Sequence, residues 1–196
     1  ETVRIHLLSE IMRRAYRDRA EYLGDPDYVD VPVDVLVSKT YAAQLAGSIA
    51  MDEATASEEL KPVMVDGPKG RDTTHFSIID KDGNRVSATL SINYPFGSCF
   101  VAEGTGVLLN DEMDDFSAKP GEPNVYGLIG AEANAIEPGK RMLSSMTPTF
   151  LETENRLAVL GTPGGSRIIT MVLLGALEFY AGASAQDMVK RGRFHH

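Results

Sequence analysis

The sequence predicts an α+β fold, on three observations. Apolar residues recur at helical spacing near the start and again near the end of the chain. The segments between them alternate apolar and polar residues and are joined by hairpin turns. The order is therefore helices, then antiparallel strands, then helices, which suggests two sheets with helices outside rather than an alternating strand–helix pattern. At 196 residues with 43% hydrophobic content, the chain suits about one domain and can fill a core.

Ile5, Leu8, Met12, Ala15 and Tyr16 define the stripe of a first helix, widened by Leu7 and Ile11. Glu10, Arg13, Arg14, Arg17 and Asp18 are expected to cover its solvent side, and Gly24 to end it in the left-handed conformation. GDPDYVDVPV reads as a turn-rich connector. Ser38 is placed to cap a second, short helix, KTYAAQLAGSIA, with Leu45 and Ile49 on one face. A polar, flexible linker follows from about Met51 to Asp72.

TTHFSIID and NRVSATLSIN flank KDG, and Asp82-Gly83 is a strong hairpin turn. GTGVLLN reads as a short buried strand. DEMDDFSAKPGEPNVYGLIGAEANAIEPGKR is a long loop of the kind that is often functional, for instance as a lid. TPTFLETENRLAVLGTP reads as a second hairpin with ENR at its tip. SRIITMVLLGALEFYAG is a helix apolar on most faces, and Ser184 caps another, SAQDMVKRG.

Charge and composition exclude some functions. A net charge of -9, from 19 Lys and Arg against 28 Asp and Glu, argues against a nucleic-acid partner. The longest apolar run, 168–183, contains Glu178 and is too short to span a bilayer. Cys99 is the single cysteine, so no internal disulfide can form, and its apolar surroundings predict a buried, inert thiol. The chain starts with ETVRIHLLSEIMRRAY and ends with RGRFHH, and both ends are expected to be cuts in a longer protein.

Thr73 and Thr74 stand where the linker becomes a strand. Threonine is common in strands, which is the ordinary reading. A second reading is chemical. A threonine hydroxyl is a poor nucleophile unless its own α-amine serves as the base, and that requires it to be the first residue of a chain. Cleavage between Asp72 and Thr73 would supply that amine, with a pKa of about 8.

Three further groups of residues suit a ligand as well as a turn. NDEMDDFS crowds acids that repel one another unless they meet a cation such as an ammonium. The serine pair of LSSMTPT offers donors suited to a carboxylate. In GTPGGSR, Gly164 and Gly165 let backbone N–H groups converge ahead of a helix, where they can hold an oxyanion. This is not a phosphate loop, since the Gly-Lys-Ser/Thr ending is missing. His75, His195 and His196 match no zinc spacing, so no metal and no cofactor are expected.

Taken together, TTHFS, SINYPFG, GVLLNDEMDDFS, NVYGL, GKRMLSSMTPT and GTPGGSRIIT resemble, in order and spacing, the γ-glutamyltranspeptidase (glutathione hydrolase) family of N-terminal-nucleophile hydrolases. RRAYRDRAEYLGDPDYVDVPV and SKTYA resemble the end of that family's large subunit. The resemblance implies a four-layer αββα sandwich, incomplete here. Residues 1–72 would be the C-terminal part of the large subunit with its pre-cleavage linker, and 73–196 a truncated small, catalytic subunit.

The resemblance also implies roles. Thr73 would be both the autoprocessing residue, cut from Asp72, and the nucleophile, with Ser91 hydrogen-bonded to it. Asn93, Glu112 and Asp115 would bind the α-amino end of the γ-glutamyl group, and Ser144 and Ser145 its α-carboxylate. Gly164 and Gly165 would form the oxyanion hole, and Tyr126 would close over the substrate. The implied substrates are glutathione and related γ-glutamyl compounds, with water, amino acids or peptides as acceptors. The implied assembly is a large/small subunit heterodimer, periplasmic or secreted. Two features depart from the family: Gly192 stands where Pro is usual, and the large-subunit arginine that pairs with the substrate carboxylate is not among these residues. A cephalosporin-acylase-like amidase and a non-catalytic, unprocessed piece that assembles with a partner chain are the alternatives. Missing strands would leave sheet edges and apolar faces exposed, so the isolated chain is expected to fold poorly or to be inactive.

Overall fold

The computed structural model describes residues 1–60, 72–124 and 127–195. These form two compact units, one built from 1–60 and 113–143, the other from 72–112 and 144–195. The expected linker residues 61–71, together with Tyr126 and His196, lie outside the described residues. Among the described residues, no helix is long and apolar enough to cross a membrane.

The first unit is organised on α1 (Thr2–Tyr22), followed by α2 (Val33–Leu36) and α3 (Lys39–Gly47). Ser38 caps α3 as expected, its Oγ accepting from the Tyr41 N–H at 3.1 Å. On α1, Leu8, Met12, Tyr16 and Ala20 are buried, four residues apart on one side. The expected solvent side is partly buried too: Glu10 is 2% exposed, Arg14 3% and Asp18 7%. At 100° per residue these three lie opposite the apolar row, so α1 is covered on two sides.

Burial of those charges is tolerable because each is hydrogen-bonded. Glu10 pairs with Arg14 and Arg13. It also accepts from the Thr55 hydroxyl at 2.6 Å and the Thr55 N–H at 3.2 Å. Arg14 donates to the Ser48 hydroxyl at 2.8 Å and carbonyl at 2.9 Å. Asp18 accepts from Tyr41 Oη at 2.9 Å. The beginning of the expected flexible linker is therefore docked: Thr55 is held by Glu10, and Leu60 is buried.

Glu10 makes a pH prediction. Burial pushes its carboxyl up, but hydrogen bonds from Thr55 and Arg14 and the charge of Arg13 outweigh burial and hold it at about 2, against an ordinary 4.5. A depressed folded-state pKa stabilises the fold above the unfolded value and loses that stabilisation as pH falls towards the folded value. The contribution is on the order of 3 kcal/mol. Between pH 4.5 and about 2 the melting temperature of the wild type should fall more steeply than that of Glu10→Gln. Parallel curves would show that Glu10 does not titrate with folding.

Gly24 does not end α1 in the left-handed conformation. The helix stops at Tyr22 with an extended Leu23. Gly24 is needed for space instead, since a Cβ there would lie 2.1 Å from the Ala133 carbonyl oxygen. The long loop comes against α1 at this point. Ala131 N–H donates to Ala20 O at 2.9 Å, and Arg141 forks onto Asp25 at 2.9 and 2.5 Å. Those hydrogen bonds hold the Asp25 carboxyl far below the usual range. Phe116, Ser117, Asn134 and Lys140 of the loop are buried, so its two ends contribute to the core of this unit.

The second unit contains three hairpins: β1 (Thr73–Ile79) with β2 (Arg85–Ser91), β3 (Val101–Ala102) with β4 (Val107–Leu108), and β5 (Thr149–Glu152) with β6 (Leu157–Leu160). The described strands thus form three two-stranded antiparallel sheets. The first hairpin turns where expected, with Gly83 at φ +85° and the Asp80 carboxylate accepting from the N–H groups of Asp82 and Asn84. α4 (Ile168–Tyr180) packs on β5 and β6, and α5 (Ala185–Lys190) is capped by Ser184. Arg156, at the tip of the β5–β6 hairpin, donates to the last carbonyls of α4 at Phe179 (2.8 Å) and beyond it at Ala183 (2.6 Å).

Two expectations fail at β3 and β4. GTGVLLN does form a strand but not a buried one: Val107 is 56% exposed and Leu109 41%. Cys99 is exposed rather than buried. The chain before β3 is a series of tight turns, with Phe96, Gly97 and Cys99 all at positive φ, so its apolar residues cannot share an inward face.

The β1–β2 hairpin inverts the usual arrangement. Its polar face, with His75, Ser77 and Ser87, lies against β6: Ser77 donates to Val159 O at 3.3 Å and Ser87 to Leu160 O at 3.1 Å. Its apolar face, with Phe76, Ile78, Val86 and Leu90, is exposed.

Candidate active site

Thr73 and Ser91 are directly opposed at the open end of the β1–β2 hairpin. Thr73 Oγ1 donates to Ser91 Oγ at 3.0 Å, and Ser91 Oγ also accepts from the Asn93 N–H at 3.0 Å. The Asn93 N–H holds the Ser91 oxygen in place and leaves it able to accept from the Thr73 hydroxyl. Asn93 is 3% exposed and sits at φ +69°, a conformation asparagine tolerates better than most residues. Its Nδ2 donates to Asp111 O at 3.3 Å, while Asp111 Oδ1 accepts from Tyr94 N–H at 3.0 Å. These bonds tie the turn after β2 to the start of the acidic segment.

Within that segment, the Glu112 N–H donates to Asn110 Oδ1 at 3.0 Å. Glu112 Oε1 is buried without a hydrogen-bond partner among the described residues. A buried carboxylate oxygen left in this way is costly unless a donor fills the space. Ser144 is exposed and Ser145 half-buried; Ser144 Oγ accepts from Met146 N–H at 3.1 Å. Gly164 has φ +144° and Gly165 φ +58°, both beyond the easy reach of a residue with a Cβ. A 3₁₀ turn, Gly165–Arg167, leads from them into α4.

Thr73, Ser91, Asn93, Glu112, Ser144, Ser145, Gly164 and Gly165 thus belong to one unit. Asp115 belongs to the other. Asp115 O accepts from Asn134 Nδ2 at 2.7 Å, and its charge acts on Arg19, whose guanidinium burial pushes down. Asp72 is half-buried, directly before β1.

Sequence reasoning assigns His75 no role in the site: it reads as a polar strand residue and is weighed as a metal ligand, yet it shares a strand face with Thr73, two residues away. None of the three histidines among the described residues is free: His6 Nε2 lies 2.8 Å from Ala50 O, His75 bonds to Thr89 and Ser77, and His195 Nδ1 lies 2.9 Å from Thr170 Oγ1. Among the described residues, no group of three His, Cys, Asp or Glu could hold a metal ion.

The sequence profile of the family described as Gamma-glutamyltranspeptidase matches residues 1–196. The chain belongs to the gamma-glutamyltranspeptidase family. A glutathione hydrolase proenzyme of a Pseudomonas species is 52% identical over 193 residues, 97% of this chain and 33% of its own length. The glutathione hydrolase proenzyme of Escherichia coli is 46% identical over 196 residues, 98% of this chain and 33% of its own length. The gamma-glutamyltranspeptidase from Pseudomonas nitroreducens complexed with L-DON has a similar structure, with a TM-score of 0.59 at 54% identity over 63% of this chain and 65% of that one. The chain therefore spans about a third of the length of the curated gamma-glutamyltranspeptidase relatives that it matches.

Proposed function

We propose that this chain is the nucleophile-bearing part of a γ-glutamyl hydrolase and transferase that acts on glutathione and related compounds. The observation that carries this reading is the 3.0 Å hydrogen bond from Thr73 Oγ1 to Ser91 Oγ, at the first residue of β1.

Processing comes first. In the uncut chain the Thr73 nitrogen is an amide and cannot serve as a base. Thr73 Oγ1 attacks the Asp72 carbonyl carbon, the C–N bond breaks, and the hydroxyl proton ends on the departing nitrogen. Water then hydrolyses the Asp72 ester, leaving Thr73 with a free amine and a free hydroxyl. In turnover that amine takes the Oγ1 proton as Oγ1 attacks the γ-amide carbonyl. The N–H groups of Gly164 and Gly165 hold the oxyanion. The leaving amine departs with a proton, and water or an acceptor amine resolves the γ-glutamyl ester.

The substrate's head groups are assigned by chemistry. The unpartnered Glu112 Oε1 suits an ammonium, with Asn93 and Asp115 as further acceptors. Ser144 and Ser145 suit the α-carboxylate, and Tyr126 is the proposed cover. Residues 1–72 and 73–196 would belong to the large and small subunits. The first unit draws on both sides of the 72/73 bond, so contacts such as Arg141–Asp25 would hold the two products together as a heterodimer. The exposed Phe76, Ile78 and Leu90 face is a surface that a further layer of an αββα sandwich would cover. Similarity to glutathione hydrolases also supports a periplasmic or secreted location.

The test is the intact mass of the full-length protein that carries this chain, before and after incubation near neutral pH, followed by release from a γ-glutamyl anilide. Two pieces meeting at 72/73 are expected. A protein that turns over the anilide while uncut would refute the N-terminal-amine mechanism, and faster turnover of a glutaryl amide would favour an acylase.

A further inference from the structure

His75 plays no part in the chemistry above, yet it lies on the strand face that carries Thr73. Its ring bridges two elements. Nδ1 is 2.9 Å from Thr89 Oγ1 on β2, and Nε2 is 3.0 Å from Ser77 Oγ. Ser77 in turn donates to the Val159 carbonyl of β6 at 3.3 Å. Because the Ser77 proton is used there, Nε2 donates to Ser77. Burial pushes the ring's pKa down, favouring the neutral form, in which Nδ1 accepts from Thr89.

The ring also occupies the space a side chain at position 161 would need. A Cβ on Gly161 would lie 2.1 Å from both Cε1 and Nδ1 of His75. Gly161 is the first residue after β6 and opens the segment that leads to Gly164 and Gly165. One imidazole therefore touches the strand of the nucleophile and the root of the glycine loop.

We infer that His75 is a positioning residue that sets the distance between the Thr73 hydroxyl and the Gly164–Gly165 amides. The inference rests on the functional reading above. It makes the polar face of the hairpin a spacer: Thr89, His75, Ser77 and Val159 form one hydrogen-bonded chain, and Gly161 is glycine so that the ring can enter. The substrate's ammonium and carboxylate sites lie elsewhere in the sequence, at residues that His75 does not bond. Losing it should slow the chemical step without weakening binding.

The experiment uses the full-length protein that carries this chain, with wild type, His75→Ala, His75→Gln, Gly161→Ala and the combined His75→Ala/Gly161→Ala. Each is assayed for kcat and KM on a γ-glutamyl anilide, alongside its melting temperature. His75→Ala and Gly161→Ala should each lower kcat ten- to a hundredfold, the scale of a misplacement of about 1 Å, with KM within about twofold. His75→Gln keeps a donor for Ser77 and should recover part of the loss. The combined variant should be no slower than the slower single one, because both act on one contact. An unchanged kcat, a loss confined to KM, or losses that multiply would overturn the inference. If His75→Ala fails to fold, His75→Gln and Thr89→Val carry the same comparison. A wild type with no turnover would instead count against the functional reading.

Discussion

Thr73→Ala is expected to leave the Asp72–Thr73 bond intact and to lower γ-glutamyl release on the order of 10⁴-fold or more, the scale at which removing a nucleophile disables an acyl-transfer enzyme. In the proposed mechanism two steps would fail at once: the hydroxyl that would open the peptide bond is gone, and so is the hydroxyl that would carry the acyl group. Thr73→Ser separates chemistry from conformation. It keeps the hydroxyl but loses the β-branch that restricts the side chain, so it should still be cut, more slowly. The 3.0 Å bond to Ser91 would have to be held by a freer side chain. Intact mass reads the first step and anilide release the second. Cleavage of Thr73→Ala at the same bond would remove Thr73 from the processing reaction.

Gly164→Ala is expected to lower kcat 10²- to 10³-fold, about 2.7–4 kcal/mol, as for the loss of an oxyanion donor. The reason is conformational rather than steric. A Cβ on Gly164 would meet nothing closer than 3.8 Å, so there is room for it, but φ of +144° is a backbone state that a Cβ resists. Relieving that strain would turn the amide away from the proposed oxyanion position. Gly83→Ala is the matching control: φ is +85°, nothing lies within 4 Å, and the hairpin tip is remote in sequence from the glycine pair. It should cost similar stability, of order 1–3 kcal/mol, without changing kcat. Equal kcat losses in the two variants would point to general destabilisation instead.

Much of the local structure was legible. Asp82-Gly83 fixed the first hairpin, and the register it sets runs unbroken from the Ile79–Arg85 pair to the Thr73–Ser91 pair. That register alone puts Ser91 opposite Thr73. Ser38 and Ser184 marked two helix starts because a serine hydroxyl satisfies an otherwise unpaired helix N–H. The glycine pair before an apolar helix was readable because a run of two glycines permits positive φ at both.

Other features could not be read because they depend on residues far along the chain. Glu10 looked like a solvent-side acid until Thr55 arrived 45 residues later, and Gly24 looked like a helix stop until Ala133 came against it. His75 looked like one more polar residue of a strand. Only its neighbours on β2 and β6 show what it spans.

The sequence by itself determined the family, the order of helices and hairpins, and the residue types at each chemical position, because motifs, turns and caps act over a few residues. The tertiary structure decided which face of the β1–β2 hairpin turns inward, that charges on α1 are buried, that Cys99 is exposed, and that the Glu112 carboxylate keeps a buried oxygen without a partner among the described residues. Burial and hydrogen-bond satisfaction are sums over neighbours that only folding brings together.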